Sequence, residues 1–369
     1  MLRGNNMPDF PKRLVAGSVC AFSLAAFSGC SLHVTKETLA PADVETTVFF
    51  IGDAGEPDPR EPTLVLDSLS AQAAKIPGRA VIVFLGDNVY PAGIPEEGQA
   101  EYADARRRLE AQVNAVPKGV RGIFIPGNHD WAGETGGPFG LFAVRLEEKM
   151  IASMAGGRDI RMLPGNGCPG PAAVDLGRLR LLLLDTQWWL HDYIVRDANS
   201  NCVTTTGAVT ETLRQLVEEK MPGRVIIGAG HHPLMTGGEH GGYCGIVGPF
   251  RRFGGSAQDI LSGANRTMRD SIESAFRGQP PLAFIAGHDH NLQVLKGDPN
   301  VRYILVSGAG SMDKLACTVR LRESYYTAQH RTGFMRIDVM RNKGVLLSVY
   351  QFAASGIGGL SYTKWLELR

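Results

Sequence analysis

Cysteine is scarce, with six in 369 residues. No two of them stand in a C-x-x-C pair, so neither a cysteine-built structural zinc site nor a thioredoxin-like motif is indicated. Charge of one sign is not in excess either: 38 Lys and Arg against 37 Asp and Glu leave a net charge of +1. The clustered basic surplus of a nucleic-acid surface is missing. Arg106-Arg107-Arg108 reads as the solvated face of a helix, and Arg251-Arg252 as either exposed loop or a contact for an anionic substrate. The apolar segment Leu14 to Phe27 is too short for the roughly 20 residues of a membrane span. No internal repeat or low-complexity tract occurs. What is present is 44% hydrophobic content, enough for a large core in one domain or in two halves.

Lys12 and Arg13, the apolar segment and the small residues Ser28 and Gly29 read as an export signal over residues 1–29. The order Phe27-Ser28-Gly29-Cys30 is similar to a bacterial lipobox, whose cysteine is cut free and acylated, although Phe27 stands where Leu is usual. Ser31 after that cysteine implies outer-membrane sorting in a Gram-negative envelope, with periplasmic or secreted soluble protein as the alternative. Residues 30–44 are expected as a tether, 45–355 as the folded domain and 356–369 as a tail. Cys168, Cys202, Cys244 and Cys317 then form an even set that allows two disulfides in any of three connectivities.

Along the domain, strand-like and helix-like runs alternate. Thr46–Ile51, Arg79–Leu85 and Val120–Ile125 read as strands, with helices over Leu64–Ala74, Glu101–Val113 and Leu141–Met154. A Gly/Pro-rich loop over 156–171 precedes a hairpin of Ala172–Leu176 and Leu179–Leu184. Trp188, Trp189 and Tyr193 in the next loop are either internal packing or a rim, and packing is the plainer reading. Glu211–Lys220 is helical, Arg224–Ile227 a strand, 237–255 irregular, Thr267–Phe276 a helix and Leu282–Ala286 a strand. Asn291–Lys296, Tyr303–Ser307, Phe334–Val339 and Val345–Phe352 suggest a second, largely antiparallel half. In such βαβ sheets functional groups gather at strand carboxyl ends.

Five of those ends carry a glycine beside a potential ligand: Gly52-Asp53-Ala54-Gly55, Gly86-Asp87-Asn88-Val89-Tyr90, Gly127-Asn128-His129-Asp130, Gly230-His231-His232-Pro233 and Gly287-His288-Asp289-His290. Taken singly, Asp53 or Asp87 is more often a helix cap, Tyr90 a packed aromatic and Asn128 a turn residue. Five accidental coincidences are a poor explanation of the set. Asp53, Asp87, Tyr90, Asn128, His231, His288 and His290 are more donors than one ion needs. Two ions sharing a bridging carboxylate fit better, and metals roughly 3.5–4 Å apart are the usual clamp for displacement at phosphorus. A tyrosine among oxygen donors favours Fe(III) at one position; imidazole and amide suit Fe(II), Zn(II) or Mn(II) at the other.

In order and type these five motifs resemble the metal-binding motifs of the purple acid phosphatases, within the calcineurin-like metallophosphoesterases. Glu239-His240-Gly241 and Ser307-Gly308-Ala309-Gly310 followed by Asp313 are similar to the small tartrate-resistant type. The resemblance, over about Thr46 to Asp313, implies a four-layer αββα sandwich of two mixed sheets. It implies Fe(III) held by Asp53, Asp87, Tyr90 and His290, and a divalent ion held by Asp87, Asn128, His231 and His288. His129 and His240 would assist a metal-bound hydroxide, facing the phosphoryl group and protonating the leaving oxygen. Ala54 departs from the usual aromatic, and His232 from the usual Tyr. His232 is either a support behind the ligands or an added phosphate contact, the former being the plainer reading. The expected activity is hydrolysis of small phosphate monoesters by a monomer, without nucleic acid and with membrane contact only through lipid on Cys30. Phosphodiester or nucleotide hydrolysis is the alternative, and a non-catalytic metal-binding envelope lipoprotein the rival from another class.

Overall fold

The computed structural model describes residues 41–57, 63–133, 137–191, 205–219, 223–244, 255–311, 315–342, 344–353 and 357–368, with residues 202, 248, 250, 251 and 355. The leader, Cys30, most of the tether, Tyr193, Arg252 and Asp313 lie outside these. Thr38–Arg369 forms one compact unit. No helix among the described residues is long and apolar enough to cross a membrane.

The first apolar run becomes β1 (Val44–Ile51), whose side chains are buried on both faces. Alternation along the strand sends Phe49 and Ile51 to one hydrophobic layer and Val48 and Phe50 to another. A strand covered on both sides reads as a continuous apolar run, which is why it is legible. Beside β1 run, in parallel, β2 (Ala80–Phe84), β3 (Arg121–Phe124) and β4 (Ile160–Met162). They are connected by α1 (Leu64–Ala73), α2 (Tyr102–Asn114) and α3 (Gly137–Ala155). The hairpin β5 (Ala172–Leu176) and β6 (Leu179–Leu183) opens a second sheet, followed by α4 (Thr206–Glu218), β7 (Val225–Ala229), α5 (Gly263–Phe276) and β8 (Ala283–Ala286). α4 and α5 begin earlier than their apolar periodicity suggests. The hydroxyls of Thr205 and Ser262 cap them, accepting from the backbone of Ala208 and Asn265 at 3.3 and 3.0 Å.

β9 (Leu292–Asp298), β10 (Val301–Ser307), β11 (Ser324–Ala328), β12 (Thr332–Met340), β13 (Val345–Phe352) and β14 (Gly358–Trp365) complete the chain. The sheets run β14-β13-β12-β1-β2-β3-β4 and β11-β9-β10-β8-β7-β6-β5. The expected separate antiparallel half is therefore corrected. β9 to β11 extend the second sheet, and β12 to β14 return to the first, where β12 covers the open flank of β1. Periodicity identifies strands but not the edge they join. The expected tail 356–369 is corrected too, because residues 358–365 are β14, paired antiparallel with β13. Its glycine start and mostly half-exposed side chains gave no apolar signal.

Three hydrophobic layers result. One lies between the first sheet and α1 to α3, one between the sheets, and one between the second sheet and α4 and α5. This is the four-layer αββα order. Trp188 and Trp189 are buried in the third layer, as the packing reading expects.

The disulfides are Cys168–Cys202 and Cys244–Cys317. The second spans 73 residues and ties the loop after His240 to the segment between β10 and β11. Replacing both Cys244 and Cys317 by Ser should lower unfolding free energy by about 2–4 kcal/mol, through the freed loop. Urea denaturation without reductant checks this; an unchanged midpoint would refute it.

Candidate metal centre

β1, β2, β3, β7 and β8 point the same way within their sheets and end at one edge of the sandwich. The residues just past their ends are the predicted ones: Asp53; Asp87 and Tyr90; Asn128 and His129; His231; His288 and His290. Asp53, Asp87 and His288 have φ of 58°, 54° and 68°. Such left-handed backbone costs of order 1–3 kcal/mol for residues with a Cβ and concentrates at functional sites. Two glycines let the turns meet. A Cβ on Gly127 would fall 2.4 Å from the Asp87 nitrogen, and one on Gly86 would fall 2.7 Å from Nδ1 of His231.

The seven donors converge as two groups joined by Asp87. In the first, the Tyr90 hydroxyl lies 3.1 Å from Asp53 Oδ1, 3.1 Å from Asp87 Oδ2 and 3.2 Å from His290 Nε2. His290 Nε2 is also 3.3 Å from Asp53 Oδ1. In the second, His231 Nε2 lies 2.9 Å from Asn128 Oδ1 and 3.4 Å from Asp87 Oδ1. His288 Nδ1 is 3.2 Å from Asn128 Oδ1 and 3.3 Å from His231 Nε2. Asp87 thus turns one oxygen to each group. All seven side chains except His290, which is partly exposed, are buried.

The electrostatics call for cations. His231 donates Nδ1–H to the Leu85 carbonyl at 2.8 Å, so the Nε2 lone pair of a neutral ring would face the oxygens of Asn128 and Asp87. Acceptors facing acceptors need a positive charge between them. In the metal-free chain a proton supplies it. Burial pushes His231 down, but the adjacent Asp87 carboxylate outweighs this and carries the ring up to about 9. Burial, followed by the Asp87 and Asp53 carboxylates, pushes the Tyr90 phenol well above its ordinary range, so a phenolate there requires a cation. Burial and the nearby imidazoles hold His288 well below its ordinary value, and its Nε2 is buried without a hydrogen-bond partner. Buried oxygen and imidazole donors in two sets fit two metal ions.

Two further histidines border the groups. His129 donates its backbone N–H to Asp87 Oδ1 at 2.9 Å, its Nδ1 lies 2.5 Å from the Pro91 carbonyl, and its ring is 4.5 Å from that of Tyr90. His240 has Nδ1 3.0 Å from Asp259 Oδ1, and its ring is 3.8 Å from that of His288. Arg251 lies 3.5 Å from the same Asp259 oxygen. Among the described residues, His231, His232 and His288 also form a geometrically close trio. His232 has both nitrogens engaged, by Thr186 Oγ1 at 2.8 Å and Gln258 Oε1 at 2.6 Å. Asn128 is therefore the better third donor.

Sequence reasoning missed the supports. Asp130 accepts from the backbone nitrogens of Gly127, Asn88 and Val89 at 2.7, 2.9 and 3.0 Å, knitting two ligand turns together. Asp289 accepts from the His240 backbone at 3.2 Å. Both are motif neighbours of predicted ligands, so adjacency was a usable signal. Asp259 sits beyond a glycine-rich stretch with no spacing to mark it.

Asp185, which accepts from Trp131 Nε1 at 2.8 Å, gives a stability prediction. Burial pushes its carboxyl up to about 7, against the lowering effect of the Trp131 bond. With the folded value above the unfolded one of about 4, its contribution is complete below pH 4 and is lost as pH rises through 7. Asp185→Asn should flatten that part of the stability profile, read by urea unfolding at several pH values. An unaltered slope would remove Asp185 from the account.

No protein-family profile matches the chain, and no curated protein does. Among solved structures it is similar to GAP50, the anchor in the inner membrane complex of Plasmodium, at 14% identity and a TM-score of 0.50, covering 88% of this chain and 89% of that one. It is also similar to the purple acid phosphatase PPD1 from yellow lupin (Lupinus luteus) seeds, at 15% identity and a TM-score of 0.56 over 86% of this chain. The chain spans about half of the lupin enzyme, 53% of its length. The architecture, two seven-stranded sheets with helices outside, is the fold these two structures share with it.

Proposed function

We propose that this protein is a dinuclear metal-dependent hydrolase of phosphate monoesters, of the purple acid phosphatase kind. The observation that carries the proposal is Asp87, whose two oxygens face two separate, buried donor groups. Asp53, Asp87, Tyr90 and His290 would hold Fe(III), and Asp87, Asn128, His231 and His288 a divalent ion. When bound, such ions polarise phosphoryl oxygens and bring the pKa of a coordinated water to about 7.

The chain's own residues do the rest. His129, with Nδ1 committed to the Pro91 carbonyl, turns Nε2 toward the phosphoryl oxygens. His240, with Nδ1 held on Asp259, presents Nε2 as the general acid that returns a proton to the departing alkoxide. Leu85 fixes the His231 tautomer so that its Nε2 faces inward.

Metal analysis and a visible spectrum test the reading. Two ions per chain and an absorption band in the green-to-red range are expected from tyrosinate on ferric iron, together with faster turnover of aryl monoesters than diesters. Faster diester turnover would favour the phosphodiesterase alternative. The fold shared with GAP50, described as an anchor, keeps a second reading in play, a non-catalytic envelope protein. Colourless protein without stoichiometric metal would favour that one. The envelope placement is part of the proposal: radiolabelled fatty acid should enter the wild-type chain and not Cys30→Ala.

A further inference from the structure

His232 stands beside the ligand His231, yet its bonds lead away from the metal-type site. The Thr186 hydroxyl oxygen accepts the backbone N–H of His231 at 3.1 Å and that of His232 at 2.9 Å. Its own O–H is thereby free to donate to His232 Nδ1 at 2.8 Å. With Nδ1 accepting, the ring proton resides on Nε2, which donates to Gln258 Oε1 at 2.6 Å. The Gln258 amide in turn donates to Gln187 Oε1 at 3.0 Å. Every donor and acceptor role in this chain is fixed by the one before it. Thr186, Gln187, His232 and Gln258 are all at least nine-tenths buried, where a broken link leaves a polar atom without water.

The relay closes on Gln187, the chain neighbour of Thr186, and on the way it joins two segments. One is the turn past β7 that presents His231. The other is the loop in which Gln258 precedes Asp259, the residue that holds His240 Nδ1 at 3.0 Å. The His232 ring also lies 4.4 Å from the His288 ring, which has the His240 ring 3.8 Å away and the His231 ring 5.1 Å away. Neither nitrogen of His232 is left to bind metal or phosphate.

We propose that His232 is a positioning residue that couples the strand end carrying His231 to the loop carrying Asp259 and His240, so that the metal-binding turn sets where the general acid stands. The catalytic half of this inference rests on the phosphatase reading; the coupling itself does not.

The test uses the metal-loaded full chain with His232→Asn, Gln258→Ala and the double variant, read by metal content, kcat, KM and amide hydrogen exchange. Asn cannot reach Gln258, so both single variants cut the same link. Each should lower kcat by about 10- to 100-fold with KM and metal content unchanged, and the double variant should be no worse than the poorer single one. Exchange should quicken at residues 255–260. His232→Gln, whose longer amide reaches Gln258, should recover most of the lost kcat. Loss of metal from His232→Asn but not from Gln258→Ala would overturn the proposal by making His232 a ligand. Multiplying losses without faster exchange would overturn it by reducing both residues to packing. Faster exchange at 255–260 in the variants, alongside a wild-type chain that turns over no phosphate ester, would support the coupling and sink the phosphatase reading alone.

Discussion

Asp87→Asn is expected to lower kcat/KM for a phosphate monoester by about a thousandfold or more while the chain stays folded. Removing one aligned group from an electrostatic site costs about 10²–10³ in rate, and Asp87 serves two groups at once. The substitution exchanges one carboxylate oxygen for an N–H donor, which then faces either His231 Nε2 or the Tyr90 hydroxyl, 3.4 and 3.1 Å away. It also removes the negative charge that lets His231 bind a cation in a site otherwise hostile to one. Metal content should fall by at least one ion per chain. Far-UV circular dichroism and a thermal melt should show the fold retained, since the packed layers do not depend on this side chain. Turnover at the wild-type level would reject the metal-centre reading.

His240→Asn is expected to lower kcat by about 10²–10⁴-fold for alkyl phosphates, the range for a positioned acid, with both ions retained. The loss should be much smaller for p-nitrophenyl phosphate, whose leaving oxygen needs little protonation. That leaving-group dependence separates an acid from a group that merely binds phosphate, because a lost phosphate contact would slow all substrates alike. Equal losses across the leaving-group series would reassign His240 to phosphate binding, leaving His129 as the candidate acid.

The donor set was legible because each donor is bound to a local constraint. Gly127 must be glycine for the Asn128 turn to clear Asp87, and the apolar runs before the motifs must be continuous because both sheet faces are covered. Sequence therefore marks where strands end and what stands there. It does not mark relations across long separations between unlike segments. Asp259 and Gln258 lie 19 and 26 residues from their imidazole partners and follow no period. The return of β12 to the flank of β1, and the pairing of Cys168 with Cys202, depend on the same tertiary geometry. β4 is three residues long inside a loop rich in glycine and proline, too short to declare itself.

Asp53, Asp87, Tyr90 and Asn128 hang from the first sheet, and His231, His288 and His290 from the second. Neither slab owns a complete cage. A slip of a single residue repeat between the slabs, about 3.3 Å, would draw His231 and His288 out of reach of Asn128 and Asp87. Metal ions held by this donor set would therefore act as a vernier on the stacking of the two slabs. Truncation of an interlayer side chain such as Phe50 should loosen metal retention far from any ligand, and a chelator should let the slabs shear.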